Sequence, residues 1–276
     1  MLYYYANTGH KIGLERLRRG AALLKSLTNQ GAKTLFLVND FRAGLLAKEL
    51  GVKDYVTVEG VQDIDAIAEH GDSIIIDSVE DDHGRLVKYC EDFKNVWRFA
   101  HSENDQAIHD EIILDVDTIL VDEMYFEETK KEERVLFFLG DADYNKIILN
   151  NEEFFKAFDM ELLLGNYFFV KYEDDLAKLF STLHEPEEYN DLIKSSSTVV
   201  TASTQTALEV KASGGRSIYL NISDNALYSV DMLREYGIEV IDGFNIEALQ
   251  DVLSIDSVIA GKGLEKIDDK SISEKL

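Results

Sequence analysis

Short apolar runs alternate with helix-period segments along almost the whole chain, and this alternation restricts the fold more than any other feature. In the first half the strand-like runs are Leu2–Ala6, Thr34–Val38, Tyr55–Val58, Ser73–Ile76, Val96–Phe99 and Thr118–Val121. Helical spacing falls between them, over 14–29, 42–50, 62–69 and 83–93. A stretch such as Ile74-Ile75-Ile76, apolar without alternation, suits a parallel sheet covered on both faces.

The pattern restarts after Glu127-Glu128-Thr129-Lys130-Lys131-Glu132-Glu133, a charged, non-periodic stretch that reads either as a link between two domains or as a solvated loop within one. Strand-like runs follow at Val135–Leu139, Glu161–Leu164, Thr198–Thr201, Ser217–Leu220 and Glu239–Ile241. Helical patterns lie over 144–157, 173–180, 189–195, 205–213, 226–236 and 246–253. The expectation is two successive α/β domains, 1–130 and 131–276, each a Rossmann-like parallel sheet. Ligands of such sheets bind beyond the carboxyl ends of the strands, so two of them are expected to share a central cleft. The polar, lysine-bearing segment 261–276 reads as a last helix or a frayed end.

The charge balance narrows the partners. Lys and Arg number 28 against 53 Asp and Glu, a net charge of -25, which argues against nucleic acid and anionic membrane surfaces. No apolar run approaches the roughly 18 residues of a membrane span, and the opening segment lacks a signal pattern, so a cytoplasmic location is expected. The single cysteine, Cys90, reads as a structural thiol. His70, His83, His101, His109 and His184 show no compact ligand spacing. Of these, His101 and His109 flank Glu103 and Asp105 in an acidic, loop-like stretch, so no metal and no cofactor is expected.

Two segments carry candidate chemistry. The first is Leu2-Tyr3-Tyr4-Tyr5-Ala6-Asn7-Thr8-Gly9-His10, a strand leading through a glycine turn into a helix. Residues 1–39 hold one acid, Glu15, beside Lys11, Arg16, Arg18, Arg19, Lys25 and Lys33. A positive field at a helix start gathers anions, and His10 there can do proton chemistry on a phosphate ester. The plainer reading is an ordinary helix with an exposed basic face and an apolar stripe of Leu14, Leu17, Ala21, Leu24 and Leu27.

The second segment is Thr198-Val199-Val200-Thr201-Ala202-Ser203-Thr204-Gln205-Thr206-Ala207-Leu208-Glu209, a strand entering a hydroxyl-rich turn at a helix start. Amides and hydroxyls there can hold a pyrophosphate without metal, and Glu209 can accept from a ribose. Equally, Ser203 or Thr204 can simply cap the helix. Downstream, Asn221-Ile222-Ser223-Asp224-Asn225 follows another strand as a second turn on the same side.

The order of these motifs resembles the nucleotide-sugar hydrolases of the pseudaminic acid pathway, which release UDP from a UDP-linked diacetamido-trideoxy sugar. Their fold is GT-B, shared with the MurG-type transferases. In that family a Gly-His pair after the first strand carries the catalytic histidine, matched by Gly9-His10, and a mid-domain strand ends in Asp-Ser, matched by Asp77-Ser78. A Gly-Gly-x-Asp-like turn opens the second domain, partly matched by Gly140-Asp141-Ala142-Asp143. The nucleotide loop is matched at Ala202, Thr206 and Glu209, and an Asn-Gln pair by Asn225-Ala226. The chain departs from the pattern at Ser203-Thr204, which replace paired glycines, at Gln205, which replaces a serine, and at Ala226, which replaces the glutamine. Gly13 stands where an arginine is expected, with Arg16 one turn further on.

The resemblance implies a metal-independent UDP-sugar hydrolase with His10 as general base. The implied ligand contacts are Gly9, Lys11, Arg16, Asp77, Gly140, Asp143, Ser203, Thr204, Gln205, Thr206, Glu209 and Asn225, with Lys11 or Arg16 balancing the diphosphate. A GT-B glycosyltransferase and a non-catalytic binding protein of the same fold are the alternatives. The oligomeric state is not fixed by the sequence.

Overall fold

The computed structural model describes residues 1–102, 104–168, 170–223, 226–255 and 260–276. Contacts divide the chain into two units, Met1–Asp122 with Lys266–Leu276, and Glu123–Glu265. Residues 123–131 group with the second unit, ahead of the strand that begins at Glu132.

The first unit contains β1 (Leu2–Ala6), β2 (Thr34–Val38), β3 (Tyr55–Thr57), β4 (Ser73–Asp77), β5 (Asn95–Phe99) and β6 (Ile112–Leu114). They form one parallel sheet in the order β3-β2-β1-β4-β5-β6. The sixth strand is Ile112–Leu114, not 118–121. Residues 118–122 run without regular structure, and the edge position needs only three paired residues. Its helices are α1 (Glu15–Asn29), α2 (Phe41–Glu49) and α3 (Arg85–Asp92), with a 3-10 turn at Val61–Ala66 where a helix over 62–69 is expected.

One sheet face carries Tyr3, Tyr5, Leu37, Ile74 and Ile76 against Val61, Ile64, Leu86 and Tyr89. On the opposite face α1 lies directly on the sheet at Gly20. A Cβ there would come within 2.6 Å of the Tyr4 ring and 2.9 Å of Phe36, so glycine lets the helix approach. The apolar stripe of α1 is buried as expected. The exposed basic face is not found, because Arg18 and Arg19 are buried as well.

The second unit contains β7 (Glu132–Phe138), β8 (Glu161–Leu163), β9 (Thr182–His184), β10 (Ser196–Thr201), β11 (Arg216–Asn221) and β12 (Glu239–Asp242). These form a second parallel sheet in the order β12-β11-β10-β7-β8-β9. Counted from β7, this is the same strand order as in the first sheet. The helical region 144–157 divides into α4 (Ile147–Asn150) and α5 (Glu152–Lys156), separated at Asn151. The remaining helices are α6 (Glu173–Leu176), α7 (Tyr189–Ser195), α8 (Thr204–Ala212), α9 (Val230–Glu235) and α10 (Ile246–Ser254). The core is rich in phenylalanine: Phe137, Phe155 and Phe180 cluster, with Phe137 and Phe180 stacked at 5.9 Å.

The tail carries α11 (Lys270–Ser273) and packs with the first unit, not the second. Asp269 draws it in, accepting from Ser26 Oγ and Gln30 Nε2 on α1 at 2.6 Å each. Among the described residues no helix is long and apolar enough to cross a membrane.

Candidate functional site

In the first sheet the strand order reverses direction between β1 and β4, and beyond their carboxyl ends lies the crevice that such folds use for ligands. Both sequence-marked segments of this unit end there, one after Ala6 and one at Asp77. The chain leaving β1 is tied down at once. The Asn7 amide donates to the Asp77 carbonyl at 2.9 Å, and Thr8 donates from its amide and hydroxyl to Asn39 Oδ1 at 2.8 Å each.

Gly9 and Gly13 then pair across a tight loop, with the Gly13 amide donating to the Gly9 carbonyl at 2.7 Å. Gly13 has φ +86°, a left-handed conformation that an arginine would adopt only with strain, so loop closure explains the departure at this position. His10, Lys11 and Ile12 form the exposed tip, just ahead of α1, whose start carries no side-chain cap.

Asp77 is buried on the α1 face of the sheet, and its oxygens are committed. Arg19 donates from Nε and Nη2 at 2.6 Å each, Tyr4 from its hydroxyl at 2.7 Å, and Arg16 Nε lies 3.3 Å away. The Arg19 guanidinium also lies 3.8 Å from the Phe99 ring centre. The expected ligand contacts Asp77 and Arg16 are therefore brought together, but facing each other. Arg19 is the member of this group that sequence reasoning missed.

The loop after β5 is fixed by Arg98, which holds Asp105 at 2.6 Å and Glu111 at 3.3 Å. The guanidinium is the main reason the Asp105 carboxyl lies low, at about 2. Since this pKa is below the unfolded value of roughly 3.9, the pair stabilises the fold fully above that value. The contribution is lost as pH falls through about 2. The Asp105 carboxyl carbon should therefore titrate near pH 2 by NMR, whereas a midpoint near 4 would contradict the pairing.

In the second sheet the corresponding crevice lies beyond β7 and β10, where Thr201 pairs with Phe138 and the Ala202 amide donates to the Phe138 carbonyl at 3.2 Å. The turns Gly140–Asp143 and Ala202–Thr206 are thus neighbours. Gly140 has φ +142°. Asp143 is buried and serves the local fold: it accepts from the Ile147 and Ile148 amides at the start of α4 and from the Tyr172 hydroxyl at 2.5 Å. Burial, followed by this carboxylate, pushes the Tyr172 phenol far above its ordinary range.

Ser203 caps α8, accepting from the Thr206 amide at 3.1 Å and the Thr206 hydroxyl at 2.8 Å. Tyr189, from α7, bonds Thr206 Oγ1 at 2.7 Å and donates to Glu209 Oε2 at 2.6 Å. Gln205 Nε2 donates to the other Glu209 oxygen at 3.0 Å, and Tyr228 donates to Gln205 Oε1 at 3.0 Å. Ser203, Thr204, Gln205, Thr206 and Glu209 are all buried, Glu209 to 2% exposure. The structure brings these expected residues together as one internally bonded cluster. Tyr189 and Tyr228 complete it, and no local signal marks either in the sequence. Asn225 lies outside the described residues.

No family model matches this chain, and no curated protein matches its sequence. Solved structures do match its fold. The chain is similar to a UDP-GlcNAc 2-epimerase from Methanocaldococcus jannaschii, solved with UDP-GlcNAc and UDP, at 13% identity and TM-score 0.64, covering 100% of this chain and 98% of that one. It is also similar to the Escherichia coli heptosyltransferase WaaC with ADP, at 10% identity and TM-score 0.52, covering 92% and 96%. A third match is AviGT4, a glycosyltransferase of avilamycin A biosynthesis, at 14% identity and TM-score 0.52, covering 92% and 88%. The fold is GT-B, two Rossmann-like units in one chain.

Proposed function

We propose that this chain is a nucleotide-sugar-processing enzyme, and that it hydrolyses a UDP-linked sugar without metal, with His10 as general base. One observation carries the reading. Both sheets have the same strand order, and in each the sequence-marked turns lie at the point where ligands of such sheets bind. The similarity to structures solved with UDP-GlcNAc, UDP and ADP supports the choice of ligand.

In this reading the second unit takes the nucleotide between the turns at Gly140 and Ala202–Thr206. The side chains of Ser203, Thr206 and Glu209 brace the turn through their mutual bonds, so the grip on phosphate comes from the backbone. In the first unit His10 stands on the glycine-closed loop to take a proton from water, and Lys11 beside it supplies positive charge, since Arg16 is engaged with Asp77.

The closed cluster around Glu209 favours one further reading, a GT-B protein that binds a partner or ligand without turnover. Turnover of a UDP-sugar separates the two, and thermal unfolding with UDP and UDP-GlcNAc tests the nucleotide binding that the enzyme requires. A ligand at about 100 times its dissociation constant adds about 2.7 kcal/mol of stability. Release of free sugar in the absence of any acceptor marks a hydrolase rather than a transferase. Absence of a shift with either compound would overturn the nucleotide-sugar reading.

A further inference from the structure

The mechanism above leaves unused a group of polar residues on the other face of the first sheet, at the carboxyl ends of β1 and β4. Tyr4 and Asp77 point to the α1 side, so the alternating side chain of Tyr5 points away from it. Its hydroxyl donates to Glu80 Oε2 at 2.5 Å, and the Ser78 hydroxyl donates to the same oxygen at 2.8 Å. A bond from the Glu80 amide back to Ser78 Oγ at 3.0 Å fixes the turn. Burial, followed by the Glu80 carboxylate, pushes the Tyr5 phenol well above its ordinary range, so it remains a donor.

Around this phenol the chemistry is one-sided. Asn7 is 2% exposed and lies beside the Tyr5 hydroxyl, yet its Oδ1 has no hydrogen-bond partner among the described residues. Asp63, close enough to push the phenol up, has a buried Oδ2 that is likewise unpartnered. Glu80 Oε1 takes no hydrogen bond among the described residues and lies beside Gly60, where a Cβ would stand 3.4 Å from it. His101, on the loop after β5, is aligned by the carbonyl of Ser78, 2.8 Å from its Nε2. A carbonyl only accepts, so Nε2 carries a hydrogen, and in the neutral ring the second nitrogen is an acceptor. Buried acceptors without donors are costly, and a ligand rich in donors satisfies them.

We propose that Asn7, Asp63, Glu80 and His101 form the subsite for the sugar ring, accepting hydrogen bonds from its hydroxyl or amide groups, and that they select neutral sugars over carboxylated ones. The proposal rests on the nucleotide-sugar reading and deepens it. Two carboxylates meet a hydroxylated ring as acceptors but repel a uronate, and a site built to bond a hydroxyl discriminates strongly against a group that cannot donate.

The test compares UDP, UDP-glucose and UDP-glucuronate by calorimetry on the full chain and on Glu80→Gln, an isosteric change that keeps an oxygen for Tyr5 and Ser78. In the unmodified protein UDP-glucose should bind at least about tenfold more tightly than UDP-glucuronate, the scale of one net hydrogen bond. Glu80→Gln should shrink that ratio to within about threefold and leave the affinity for UDP itself unchanged. His101→Ala, a change at an exposed side chain, should weaken UDP-glucose and not UDP. An unchanged ratio in Glu80→Gln, or no preference in the unmodified protein, would overturn the subsite. If UDP itself does not bind, the nucleotide reading has failed. Ligand-observed NMR with methyl glucoside and methyl glucuronate then decides the subsite alone, which stands if the glucoside binds preferentially and Glu80→Gln removes the preference.

Discussion

His10→Ala is expected to lower turnover of the UDP-sugar by about 100- to 10,000-fold, the usual worth of a positioned proton-transfer group. The loss should fall on kcat, with UDP affinity within about twofold of the unmodified chain, because the nucleotide is assigned to turns in the second unit. His10 is exposed, and the loop beneath it is held by the Gly9–Gly13 bonds, which do not involve the imidazole ring. Steady-state kinetics with calorimetric UDP binding checks both halves. Wild-type turnover in the alanine variant would remove His10 from the mechanism.

Asp77→Ala is expected to cost about 3–5 kcal/mol, the typical penalty for stranding a buried charge. Here the stranded group is Arg19, 3% exposed, whose two bonds to Asp77 at 2.6 Å cannot be replaced by water without opening the α1 interface. The Tyr4 hydroxyl loses its acceptor in the same step. Urea unfolding of the full chain should show the loss as a lower midpoint. Arg19→Met should be comparably harmful, and the double variant less harmful than the sum, because the two changes share one interaction. Additive effects would mean that the pair is not coupled.

The central strands could be read from the sequence because their burial leaves them largely apolar, without alternation. Leu2–Ala6 and Thr34–Val38 stand where the pattern puts them, and Ser73–Ile76 extends by one residue to Asp77. Two of the four edge strands could not. Ile112–Leu114 and Thr182–His184 are three residues each and are defined by the neighbour they pair with rather than by their own period. The single helix expected over 144–157 breaks at Asn151, whose side-chain amide bonds back to the Ile147 carbonyl at 2.8 Å.

The candidate turns were marked by their glycines and hydroxyls, but their internal bonding was hidden. Arg19 looks like a solvated cation until β4 delivers Asp77 from 58 residues away. The bonds from Tyr189 and Tyr228 to the α8 turn span 17 to 23 residues, beyond any local pattern. Ser203 as a cap was the part of that turn that local chemistry could foresee.

The position of β1 in its sheet also bears on synthesis. Its hydrophobic tyrosines are laid down before both neighbouring strands, and Tyr4 meets Asp77 only 73 residues later. At the ribosomal pace of about 5–20 residues per second, that delay is roughly 4–15 s. Throughout it a strand destined for the middle of the sheet has no lateral partner on one side. Slowed translation before residue 77 should therefore lower the soluble yield.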